Sequence, residues 1–167
     1  LIDIFKEENQ GNLDYPEILI YSVNLGYLIS NMKKKDYETA RRYISEKIAA
    51  LERAGAGMVA LTANTPHLFF DSLRQEAGVP MISIVEAAAK EAQRLGIRRT
   101  GLLGTRFTME ERFFHDVFRK SGIEVVSPGA DDIEIIHHKL FTEIELGIFK
   151  DETRQQLIGI IAKMKAD

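Results

Sequence analysis

The feature that most constrains this chain is a regular alternation of strand-like and helix-like patterns along 167 residues. Glu17-Ile18-Leu19-Ile20-Tyr21-Ser22-Val23 is a β-rich run behind the turn signals Gly11-Asn12 and Pro16. From Asp36 to Ala54 the period becomes helical, with Tyr37, Ala40, Tyr43, Ile44, Ile48 and Leu51 at spacings of three and four. Gly55-Ala56-Gly57 stops that helix. Met58-Val59-Ala60-Leu61 then reads as a strand buried on both faces.

The order recurs. Thr65-Pro66 opens a helix with Thr as N-cap, running to about Ala77 before Gly78-Val79-Pro80 breaks it. A strand at 81–84, a helix at 85–95 and a strand at 100–103 follow. The next helix passes through Met109, Phe113, Val117 and Phe118 to Ser121-Gly122. A strand at 123–126 and helices near 131–147 and 151–166 complete the pattern. Such alternation predicts an α/β fold with a parallel sheet. Right-handed crossovers put the strand C-termini on one edge, where ligands bind in such folds.

Composition narrows the function. Hydrophobic residues are 45% and charged residues 28%, a globular mix. The net charge is −3, and Lys33-Lys34-Lys35, read as a solvated loop, is the only basic block, so nucleic acid is not an expected partner. With 0 Cys, the chain holds no disulfide, no zinc-thiolate site and no cysteine nucleophile. No apolar run reaches bilayer length and no leader pattern is visible, so a cytoplasmic protein without membrane contact is expected. The sequence starts at Leu1 and ends at Asp167 within a helical pattern, and is read as a piece of a longer protein.

A longer self-similarity links Thr62-Ala63-Asn64-Thr65 with Gly104-Thr105-Arg106-Phe107-Thr108, each a small hydroxyl-bearing turn between a strand and a helix. A domain boundary near Ser83 is therefore expected, dividing the chain into 1–83 and 84–167. A helix N-terminus offers unpaired N–H groups and partial positive charge to an anion. Thr65 and Thr108 add hydroxyls and Asn64 an amide. The two threonines either cap their helices or, as a pair, grip a small anionic ligand. GxGxxG and GxxxxGK[ST] are absent, so no nucleotide cofactor is expected. His67 reads as a surface or packing histidine. His137-His138 are adjacent and cannot share a helix face, so no metal site is expected. Phe113, Phe114 and Phe118 read as core or interface aromatics. The stripe Ile133, Ile136, Leu140 and Ile144 also reads as core. Glu110-Glu111 are placed in a first helical turn, where acids suit the dipole. No Ser-His-Asp arrangement can be assembled.

Three segments together carry a resemblance: Leu61-Thr62-Ala63-Asn64-Thr65-Pro66-His67, Val79-Pro80-Met81-Ile82-Ser83-Ile84-Val85-Glu86, and Gly101-Leu102-Leu103-Gly104-Thr105-Arg106-Phe107-Thr108-Met109. In order and spacing they resemble the aspartate/glutamate racemase family over essentially the whole chain. The resemblance implies two similar Rossmann-like α/β domains with parallel sheets and a site in the cleft between them. It also implies a cofactor-independent amino-acid racemase, expected as a homodimer, with a small carboxylate or amino acid as substrate. Two family cysteines flank the substrate α-carbon, one in a Cys-Asn-Thr turn and one in a Gly-Cys-Thr turn, and pass the α-proton between faces. By similarity, binding of the α-carboxylate falls on Asn64, Thr65, Thr105 and Thr108.

The chain departs from the family pattern at three points. Ala63 stands at the first cysteine position and has no proton to exchange, so two-thiol racemisation cannot occur on that face. The Gly-Cys-Thr segment is not within the chain, so the 84–167 domain lacks its last strand and the return to the first domain. The 1–83 domain lacks its first strand and Gly-rich turn. Asn31 (or a neighbour) and Glu145 stand where family aspartate racemases carry an Arg and a Lys for the side-chain carboxylate. Glu145 repels a second carboxylate, which argues against aspartate or glutamate as substrate. The expected activity is racemase-like, with the acid/base thiol outside this chain and the Cys-free chain itself inactive. A non-catalytic carboxylate-binding relative, or a single-thiol decarboxylase or isomerase, are the alternatives.

Overall fold

Helices do most of the work in this α/β chain, and the strands are short. The structure is a computed structural model that describes residues 2–8 and 16–166. Its chain divides into two compact units, one of 1–59 with 76–80 and one of 60–75 with 81–167.

The first unit holds α1 (Ile2–Glu8), α2 (Leu25–Lys33) and α3 (Tyr37–Arg53). Each of the last two starts on a side-chain cap. Asn24 Oδ1 accepts from Tyr27 N–H at 2.9 Å, and Asp36 Oδ1 accepts from Thr39 N–H at 3.1 Å. Leu28 and Met32 of α2 and Ala40, Ile44 and Ile48 of α3 are buried, at the helical spacing the sequence carries. α3 ends at Arg53, two residues before Gly55, whose φ of 97° a side chain would resist. Glu76 and Gly78 return to α3: Arg41 pairs with Glu76, and Gly78 N–H donates to Glu52 at 2.9 Å.

The run 17–23, expected as a strand, is not one. It pairs with no strand among the described residues, and Ile18, Leu19, Ile20 and Tyr21 are exposed. β propensity supplies side chains for a pleated surface; it does not supply the partner that makes a strand. α2, which follows it directly, has no counterpart in the sequence reading.

β1 (Val59–Ala60) and β2 (Met81–Ile82) form one two-stranded sheet. The expectation that 58–61 is buried on both faces fails: Val59 is buried, but Met58 and Ala60 are exposed.

In the second unit, β3 (Arg99–Gly101) pairs in parallel with β4 (Glu124–Val126), Thr100 opposite Val125. The helices of this unit are α4 (Phe70–Glu76, its last residue falling in the first unit), α5 (Ile84–Arg94), α6 (Arg106–Glu110), α7 (Phe113–Lys120), α8 (Ala130–Thr142) and α9 (Asp151–Ala166). One apolar cluster joins Val85, Ala89 and Ala92 of α5 with Leu102, Phe114, Phe118 and Ile123. Another joins Met109, Ile133, Ile136 and Ile160, with Leu140 packed against it. Each fully buried large side chain there stabilises by about 1.5–3 kcal/mol.

The single helix expected through Met109 to Phe118 is broken between α6 and α7. In a straight helix Met109 and Phe113 would share a face. Here Met109 enters one cluster while Phe114 and Phe118 enter the other. Ser127 Oγ donates to the Met109 carbonyl at 2.7 Å, serving a group near the break. Glu110-Glu111 accordingly sit at the end of α6, not in a first turn. The helix expected at 131–147 also stops early. α8 ends at Thr142, and a 3-10 turn over Ile144–Leu146 closes on Gly147 at φ 72°.

Candidate functional site: two threonine turns

Three threonine hydroxyls stand in series within the second unit. Thr65 Oγ1 lies 3.2 Å from Thr105 Oγ1, which lies 3.1 Å from Thr108 Oγ1. The Thr108 N–H also donates to Thr105 Oγ1 at 3.3 Å. Thr65 and Thr108 are buried and Thr105 is half-buried. Each hydroxyl brings one proton, and the two links use two of the three. The remaining hydroxyl proton stands at one end of the series.

The local sequence explains how the turns are shaped, with two corrections. The helix expected to begin on a Thr65 cap is a 3-10 turn, Thr65–Phe69, that passes into α4. Asn64 takes the cap position in αR geometry without a side-chain capping bond, so the Thr65 hydroxyl is turned to Thr105 instead. In the other turn, Thr105 rather than Thr108 is the N-cap. The 3-10 turn and α6 have five residues each. A helix macrodipole grows from aligned peptides, so elements this short leave hydroxyls and individual N–H groups as the main donors at the two turns. Gly104 leaves room for this arrangement: a Cβ there would meet Thr108 Cγ2 at 2.9 Å.

Each turn is tied down by a histidine. His67, buried, has Nδ1 2.8 Å from the Ala63 carbonyl, and its Nε2 accepts from Ile84 N–H at 3.3 Å. Its ring stacks on Phe70 with centroids 5.1 Å apart. Burial holds the imidazole below its ordinary pKa, so the neutral form is favoured. Across the series, His137 Nδ1 accepts from the Arg106 N–H at 3.2 Å. Arg106 pairs through its guanidinium with Glu134.

The remaining candidates are placed as follows. Ala63 is exposed and precedes the half-buried Asn64, whose carbonyl accepts from His67 N–H at 2.9 Å. Glu145 is exposed in the 3-10 turn 144–146. Asn31 is half-buried on α2, its Nδ2 donating to the Tyr27 carbonyl at 2.9 Å. The hydrogen bonds thus bring together Thr65, Thr105 and Thr108, with Asn64 next to the first.

The sequence reading missed Glu143, a buried carboxylate between α8 and α9. Lys139 Nζ donates to it at 2.7 Å and Lys150 Nζ at 3.3 Å, and the Thr153 hydroxyl also donates. The Lys139 and Thr153 hydrogen bonds push its pKa down to about 2. The Lys139–Glu143 spacing of four was visible in the sequence; the contribution of Thr153 was not. Among the described residues, no group of three or more His, Cys, Asp or Glu side chains is arranged to hold a metal ion, and no helix is long and apolar enough to cross a membrane. A groove of about 370 Å³ between β3 and α9, lined by Thr100, Gly101, Leu103 and Met164 among others, lies apart from the threonines.

This geometry coincides with similarity over the chain's length. A family model described as Asp/Glu/Hydantoin racemase matches residues 6–167. The chain is 29% identical over 116 residues to the broad specificity amino-acid racemase of Bacillus subtilis (strain 168), covering 70% of this chain and 50% of that one. It is 28% identical over 92 residues to the glutamate racemase of Aquifex aeolicus (strain VF5), covering 54% and 36%. The chain therefore spans half or less of the length of these two relatives. The crystal structure of a Yersinia pestis protein assigned as an Asp/Glu racemase superposes with a TM-score of 0.85 at 32% identity, covering 99% of this chain and 72% of that one. An aspartate racemase homologue from Pyrococcus horikoshii OT3 gives 0.73 at 36%, covering 90% and 66%. With the alternating α/β order, the parallel pairing and the family model all in agreement, the chain belongs to the Asp/Glu/Hydantoin racemase family.

Proposed function

We propose that this chain is the carboxylate-binding part of a cofactor-independent amino-acid racemase. Asn64, Thr65, Thr105 and Thr108 hold the α-carboxylate of a small amino acid. Ala63 lies beside the α-carbon, and Glu145 bears on the substrate side chain. The observation that carries this reading is the Thr65–Thr105–Thr108 hydroxyl series, which joins two turns 40 residues apart in sequence.

The chemistry asked of the site is removal of a proton next to a carboxylate. That step builds negative charge on the carboxylate oxygens, and fixed donors stabilise it. The chain has 0 Cys, so the acid/base thiol comes from outside these 167 residues. With Ala63 on one face, exchange is one-sided. We further read 1–83 and 84–167 as two similar domains, and the whole protein as a cytoplasmic homodimer.

Incubation of the full-length protein with D- and L-amino acids in deuterated water tests the activity. Incorporation of α-deuterium into at least one amino acid is the expected result; its absence from all of them removes the enzyme reading. Ala63 also favours a second reading, a carboxylate-binding relative without catalysis, for which ligand-dependent stabilisation without exchange is the signature. A single-thiol decarboxylase or isomerase would use the same donors, and release of CO₂ or a rearranged product would identify it.

A further inference from the structure

We propose that His67 is a positioning residue: its neutral ring, protonated on Nδ1, clamps the Ala63 carbonyl to the start of α5 and thereby aims the Asn64 backbone N–H at the ligand. The proposal rests on the carboxylate-binding reading of the Asn64–Thr65 turn.

The proton count fixes the tautomer. Ile84 N–H can only donate, so the Nε2 it reaches is bare. The Ala63 carbonyl can only accept, so the Nδ1 2.8 Å away carries the proton. One neutral tautomer satisfies both bonds, and neither the other tautomer nor the cation does. A ring kept for packing alone would need neither bond, and its stacking on Phe70 would be met equally by another aromatic.

The clamp acts through the peptide plane. The Ala63 C=O and the Asn64 N–H belong to one peptide unit, and the described chain has no cis peptide bond. In a trans peptide the two groups point in opposite directions. Pulling the Ala63 carbonyl onto the buried His67 ring therefore turns the Asn64 N–H away from that ring. The other end of the clamp is firm. Ile84 is the first residue of α5, Ser83 Oγ caps that helix through Glu86 N–H at 3.1 Å, and Val85 one residue on is buried. Charged groups near the ring among the described residues include Glu86 of α5 and Arg74 of α4. They pair with each other at 2.6 Å, and the Arg74 guanidinium lies 4.4 Å from the centre of the Phe70 ring.

Two substitutions separate the two ends of the clamp. In His67→Asn the side-chain amide N–H falls near the Nδ1 position and keeps the bond to Ala63. In His67→Gln the side-chain carbonyl falls near Nε2 and keeps the bond to Ile84. The probes are L-alanine, L-lysine and L-aspartate, which share an α-carboxylate and differ in side-chain charge. Each is titrated while the Asn64 and Thr65 amide resonances are followed by NMR.

Each variant opens one end of the clamp: H67N, which still holds the Ala63 carbonyl, should raise the Kd about threefold, and H67Q, which lets that carbonyl go, should raise it roughly tenfold, the weight of one buried hydrogen bond. The same order should appear in the Asn64 amide shift of the free proteins. Loss in neither variant, or a larger loss in H67N than in H67Q, overturns the proposal. If either variant fails to fold, the wild-type ring decides: long-range nitrogen–proton spectra should show Nδ1 protonated and Nε2 bare at pH 7, and any other form overturns the clamp. Failure of the underlying reading looks different. None of the three probes would then perturb Asn64 or Thr65 in wild type, or Thr65→Ala would leave the Kd unchanged, while the H67N and H67Q amide shifts still judge the clamp.

Discussion

Gly104 shows how little space the hydroxyl series leaves at the scale of a single residue. A methyl group there would sit 2.9 Å from Thr108 Cγ2 and 3.1 Å from its Cβ. Thr108 is only 1% exposed, so it has nowhere easy to move. Gly104→Ala should destabilise the chain by about 1–3 kcal/mol, as over-packing does. It should also shift the Thr108 methyl resonance. Denaturant melts together with a methyl spectrum check both, and an unchanged Thr108 signal would contradict the close approach. The same residues show what a sequence can and cannot reveal. A threonine before a helix marks a hydroxyl with a choice of partners, and Thr65, Thr105 and Thr108 were all legible as candidates. Which threonine caps was not legible. A hydroxyl can serve its own backbone or a distant side chain, and only the fold brings Thr105 to Thr65 across 40 residues.

Element by element, the strands near 59–60, 81–82, 99–101 and 124–126 and most helices were legible, while the run 17–23 and α2 were not, because strand composition does not supply the partner that makes a strand. The helix expected over 36–54 is found at Tyr37–Arg53, between the Asp36 cap and Gly55. The run 17–23 has strand composition and no paired strand among the described residues. Breaks such as the one between α6 and α7 come from competing clusters, which no local window contains. The joint between α8 and α9 makes a prediction of its own. Glu143 titrates near its ordinary value of 4.5 in the unfolded chain and at about 2 in the folded one. The unfolded state therefore binds the proton first as pH falls. The stabilisation from Glu143 is complete above about 4.5 and is lost as pH falls toward 2. Glu143→Gln keeps an acceptor for Thr153 but removes the charge that Lys139 and Lys150 face. It should lower Tm by several degrees at pH 7, and the gap from wild type should close as pH falls from 4.5 to 2. A gap that stays constant over that range would show that the charge is not what holds the joint.

For the whole molecule, the proposed function separates binding from chemistry, because its donors are residues of this chain and 0 Cys leaves it no thiol. The family membership rests on similarity over 6–167, and similarity alone would suggest an active racemase. The residues say something narrower. The proposed site offers a carboxylate the one hydroxyl proton left by the series and the peptide N–H groups around Asn64, but Ala63 cannot exchange a proton, and 0 Cys leaves no thiol within the chain. Donors on the α-carboxylate stabilise the charge that proton loss builds, but without a base to take the proton the exchange stays too slow to detect over the incubation. The 167-residue chain should therefore gain thermal stability from an amino acid that fits the site, rising with concentration as mass action requires. It should leave that amino acid's α-proton unexchanged after prolonged incubation in deuterated water. Calorimetric or dye-based melts with L-alanine, L-lysine and L-aspartate measure the first, and proton NMR of the recovered amino acids measures the second. Thr65→Ala should abolish the stabilisation. Deuterium entering an amino acid in the presence of this chain alone would mean that a base other than a thiol works here, and the division between a binding part and a separate catalytic thiol would have to be abandoned.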